Sequence, residues 1–93
     1  MTKAEKQKLN QQLGQIWMEL RALKNSDRKN IRTGPDWIRI QKRHRDVIEG
    51  NEELTQTILE KYPRKLEDIK DLRYTADIEK TIACLNLISP SES

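Results

Sequence analysis

Apolar side chains recur along this chain every three or four positions, and nowhere do they alternate. Leu9, Leu13, Ile16, Leu20 and Leu23 follow one another at spacings of 4, 3, 4 and 3. That period places them on one stripe of a helix facing a partner helix. The intervening Gln, Glu, Lys and Arg are good helix formers, so the spacing predicts a helix over residues 3–25. Gly14 beside the stripe costs about 1 kcal/mol relative to Ala and suggests a close helix approach. Trp17 and Met18 fall off the stripe, as Tyr74 does later in the chain.

Residues 25–34 are polar and aperiodic, a loop. Gly34, Pro35 and Asp36 then form a helix start: a capping glycine, a proline at the first helical position, and an acid at the positive end of the helix dipole. From there Trp37, Ile40, His44, Val47, Asn51, Leu54 and Ile58 keep a 3, 4 alternation. Because this register runs through Gly50-Asn51, the pattern favours one continuous helix over 35–62. The alternative is a helix ended by Gly50 and a shorter one capped by Asn51. Pro63 ends that helix and opens another over 64–88, which carries Leu66, Ile69 and Leu72, changes phase near Tyr74-Thr75, and resumes with Ile78, Ile82 and Leu85. Residues 89–93 form a short tail without packing signal.

The expected fold is therefore all-α, one domain over 1–88, with three long helices of about 35–40 Å each. Two arrangements fit: an elongated bundle whose first helices make a coiled-coil hairpin, or a dimer with helices paired between subunits. Composition favours association. Leu, Ile and Val together make 21 of 93 residues, with no Phe, just above the roughly 20% below which a highly charged chain stays disordered. A chain of this length buries only about 60–65% of its unfolded surface, so a second copy or a partner protein would supply missing burial.

Charge is uneven. Residues 1–27 carry +2, residues 28–45 carry +6 and residues 46–93 carry −5, summing to the net +3. The basic stretch makes Arg28, Lys29, Arg32, Arg39, Lys42, Arg43 and Arg45 candidates for phosphate contact, with helix N-terminal amides as additional anion donors. Against this, Arg39 can pair with Asp36, Arg45 with Glu49, and both Lys42 and Arg43 with Asp46, at helical spacings that neutralise the surface locally. Trp37 lies on the apolar stripe and is expected in the core rather than stacked on a base. The charge asymmetry can also be satisfied by pairing the two halves, within one chain or across a dimer.

Catalytic chemistry finds little to work with. The single Cys84 sits in an apolar Ala83-Cys84-Leu85 context and the single His44 lies in another helix. Two ligands fall short of the four a structural zinc site takes. The acids Glu49, Glu52, Glu53 and Glu67, Asp68, Asp71 neighbour Lys and Arg as a solvated face does. No catalytic group, metal, cofactor, small-molecule substrate or membrane span is expected. The N-terminal octet lacks the apolar run of a signal peptide, and with one cysteine the expected compartment is the reducing cytoplasm, or the nucleus of a eukaryotic host. Together these features point to a non-catalytic helical protein-interaction module (an adaptor, inhibitor or regulator) with Trp17, Met18 and Tyr74 as anchors. Nucleic-acid binding through residues 28–45 is the alternative. His44 and Asn51, polar within an apolar stripe, are candidates for fixing register or oligomeric state.

Overall fold

A computed structural model describes residues 1–24 and 34–90, and among them there are five α-helices and no β-strand. The order is α1 (Lys3–Lys24), α2 (Pro35–Glu49), α3 (Glu52–Lys61), α4 (Leu66–Lys70) and α5 (Asp77–Leu87). The all-helical expectation holds; three long helices become five, because two of them break.

The first break is at Gly50-Asn51. Gly50 donates its N–H to the Asp46 carbonyl at 2.9 Å and ends α2. A Cβ there would lie 2.9 Å from that same carbonyl oxygen, closer than side chains sit. Asn51 is extended (φ −137°, ψ 107°), and its side-chain oxygen accepts the Leu54 N–H at 2.9 Å, capping α3. Capping satisfies one of the amides orphaned at a helix start. The buried set differs accordingly from the even stripe: Trp37, Ile40, His44 and Ile48 are buried in α2, while Val47 is half-buried. A 3.5-residue stripe drifts on a straight helix, so the inward position passes from Val47 to Ile48.

The second break lies between α4 and α5. Leu72 adopts a left-handed conformation (φ 49°). Its N–H reaches Ile69 O and the Arg73 N–H reaches Asp68 O, both at 3.1 Å. This is a Schellman turn with leucine where glycine usually stands. The left-handed backbone costs about 1–2 kcal/mol, offset by complete burial of the Leu72 side chain, worth about 1.5–3 kcal/mol. Residues 74–76 then turn the chain, and the Asp77 carboxylate accepts the Tyr74 N–H at 2.9 Å.

Helix α5 is the hub, packed against α1, α3 and α4, while α1 also lies along α2. Ile78, Thr81, Cys84, Leu85 and Ile88 are all buried, a far wider arc than the apolar stripe alone. Burial raises the Cys84 thiol above its ordinary pKa, as for a small core residue. The Lys6 ammonium donates to the Ile88 carbonyl at 2.8 Å and ties the start of α1 to the end of α5. Thr2 accepts the Glu5 N–H at 3.1 Å and caps α1. Overall extents are 46 × 27 × 17 Å.

Gly14 serves no close approach: a Cβ there would meet nothing within 4 Å. Gly14→Ala is therefore expected to raise stability by about 0.5–1 kcal/mol, the helix-propensity difference. A lowered midpoint in chemical denaturation would contradict this.

Candidate interaction surface

The surface of interest lies where the C-terminal half of α1 meets the start of α5. Trp17 and Leu20 on α1 and Ile78 with Ala76 on the α5 side enclose a groove of about 500 Å³. Arg21 and Lys24 stand along its α1 edge, and Thr75 and Glu79 along the other. Trp17 is half-buried against the core, and the Arg21 guanidinium lies 5.1 Å from its ring centroid. Stacking holds the cation over the indole face. Neither Arg21 nor Lys24 forms an ion pair among the described residues.

Of the three predicted anchors, Trp17 lines this groove and Tyr74 precedes its Thr75 wall, 53% exposed. Met18 is 66% exposed and, one residue or about 100° around the helix from Trp17, faces away from the core. A single exposed apolar side chain of this kind is ordinary. Arg21, Lys24 and the α5 wall were not singled out by periodicity; the four-residue spacing of Trp17 and Arg21 was the legible signal, since i and i+4 share a helix face.

Of the four basic candidates among the described residues, three are paired. Arg39 pairs with Asp36, Arg43 with Glu19 of α1 rather than Asp46, and Arg45 with both Glu49 and Asp71. Lys42 has no ion pair among the described residues, with Asp46 or otherwise. Arg28, Lys29 and Arg32 lie outside the described residues. Trp37 is buried, as expected from the stripe. The basic and acidic halves thus meet within the chain through Arg45–Asp71, and the N-terminal ammonium pairs with Glu53. That pairing raises the ammonium pKa.

His44 is fully buried between α2, α4 and α5. Its Nδ1 lies 3.1 Å from the Lys70 carbonyl and its Nε2 2.9 Å from the Thr81 hydroxyl. A carbonyl only accepts, so Nδ1 carries hydrogen and the neutral Nε2 accepts from Thr81. Burial lowers the His44 pKa below its ordinary 6.5, opposed by the Lys70 carbonyl and the Asp77 charge. Both ring nitrogens of His44 and the side-chain oxygen of Asn51 bond inside the chain, His44 joining three helices and Asn51 capping one. The stripe pattern placed them together; the fold gives them different tasks.

No helix among the described residues is long and apolar enough to cross a membrane. No protein-family model, curated protein or solved structure matches this chain.

Proposed function

We propose that this chain is a non-catalytic protein-interaction module that docks a helical segment in the groove between α1 and α5. The observation that carries this is the groove itself: a half-buried tryptophan facing Ala76, with Arg21 and Lys24, neither in an ion pair among the described residues, along one edge and Glu79 on the other. Apolar grooves with a few placed polar groups take amphipathic helices as partners, and tryptophan and arginine are enriched among residues that dominate binding energy. Titratable and nucleophilic groups give catalysis little support, since Cys84 and His44 are both sealed in the core.

Nucleic-acid binding through residues 28–45 draws less support. It needs arginines available for phosphates, and Arg39, Arg43 and Arg45 are each occupied by carboxylates. Exposed pairs are weak, so a salt-dependent titration with generic DNA and RNA discriminates the readings. Binding that falls steeply with salt would favour the nucleic-acid reading.

The docking reading is tested by selection from a displayed library of amphipathic helices against the full chain. Enriched helices are expected to lose binding at least about tenfold on Trp17→Ala, a loss of about 1.4 kcal/mol or more. Met18→Ala should leave binding unchanged. Because Trp17 is only half-buried, its replacement should cost about 1–3 kcal/mol of folding stability, less than a fully buried aromatic, and helicity should survive. Failure to enrich any helix, or binders indifferent to Trp17, would overturn the reading.

A further inference from the structure

We infer that the occupant of the α1/α5 groove is the acidic face of α3 from a second copy of this chain. The inference rests on the docking role proposed for that groove. On α3, Glu52, Gln56, Leu59 and Glu60 are all exposed and at 100° per residue share one face about 100° wide. Leu59 is 37% exposed, and Leu87, which borders the same acidic strip from α5, is 60% exposed. Neither Glu52 nor Glu60 forms an ion pair among the described residues. The chain therefore presents an acidic helix face with an apolar anchor, the chemical counterpart of the groove's α1 edge, where Arg21 and Lys24 outnumber the single acid, Glu79, on the opposite wall.

Within one copy the two surfaces do not meet. The start of α3 lies beside the N-terminus through Glu53, whereas the groove sits at the C-terminal end of α1. The contact must therefore be between copies, and it joins two different patches. Such a heterologous contact builds rings or open chains rather than a two-fold dimer. Leu59 supplies apolar burial against the half-buried Trp17 and the exposed Ala76, while the charges orient the docking and speed encounter. Exposed ion pairs add little net affinity, so the association is reversible and weakened by salt.

The test is sedimentation equilibrium on the full chain, with two charge-reversed forms: R21E/K24E on the groove and E52K/E60K on the face. Wild type should show concentration-dependent mass. Each reversed form should weaken association about tenfold or more, and circular dichroism should report intact helices, since all four positions are exposed. Mixing the two reversed forms should restore association, because each then supplies the surface the other lacks. Leu59→Asp, which leaves both charge sets in place, should also weaken it. A wild type that stays monomeric at about 1 mM, where even a millimolar Kd would be visible, overturns the inference. So does association that survives both reversals, or a mixture that stays monomeric. Helix binders that depend on Trp17, found alongside a monomeric wild type, would keep the docking reading and assign the groove to an acidic segment of another protein.

Discussion

Leu85→Ala is expected to remove about 3–4 kcal/mol of folding stability, the upper part of the range for a buried leucine reduced to alanine. Leu85 is fully buried on α5, the helix that packs against α1, α3 and α4, so no single neighbour can close the cavity left behind. A chain of this length has only about 5–14 kcal/mol in all, which makes the loss a large share of the whole. Urea denaturation should show the midpoint falling with its slope unchanged. Leu87→Ala, two residues on, removes a side chain that is 60% exposed and should change stability by less than about 0.5 kcal/mol. Similar effects at the two positions would contradict the hub role of α5.

Acidification is the second large lever. The folded chain holds His44 neutral by burial, with its pKa below the ordinary 6.5, while the unfolded chain leaves it near that value. As pH falls through 6.5 the unfolded state takes up a proton that the folded state does not, so stability falls. The loss begins near the unfolded pKa and continues down to the folded one, with a slope of at most about 1.36 kcal/mol per pH unit. Above about pH 7.5 the contribution is complete and flat. This is the only histidine, and carboxylates titrate mainly below about pH 5, so the window between belongs to His44. Hydrogen bonding does not oppose the proton. On protonation Nε2 donates to the Thr81 oxygen, and the hydroxyl hydrogen turns to the Asp77 carbonyl 3.0 Å away. Desolvation is what sets the sign. Denaturation midpoints of wild type should drop between about pH 7.5 and 5, while His44→Gln, less stable by about 1–3 kcal/mol through its lost partners, should show no such slope. A wild type as flat as His44→Gln would contradict the buried-neutral assignment.

Periodicity carried much of this architecture. The stripe of Leu13, Ile16 and Leu20 is the buried face of α1, and Gly34, Pro35 and Asp36 do open α2. What periodicity hid was the break at Gly50-Asn51, because an extended asparagine restores the inward register of Leu54 and Ile58 after the turn. A capping side chain and a buried polar residue look alike on a helical stripe; Asn51 is the first and His44 the second. The left-handed Leu72 was illegible for another reason: glycine or asparagine marks that conformation in sequence, and here core burial rather than local preference imposes it. The groove was half legible. Trp17 stands out for its type, but the opposite wall of the groove is built by Ala76 and Ile78, some sixty residues away. Contacts of that separation follow from topology, which no local pattern contains.

Site-directed photo-crosslinking tests the interaction claim most directly. A benzophenone side chain at the exposed Ala76, on the groove wall, reports what occupies the groove in cells, while one at the exposed Gln11 of α1 serves as the outward control. The expected result is a protein adduct of defined mass at Ala76, reduced by Trp17→Ala and absent at Gln11, with twice the chain mass if the occupant is a second copy. No adduct at Ala76, or equal adducts at both positions, would contradict a docking role for the groove.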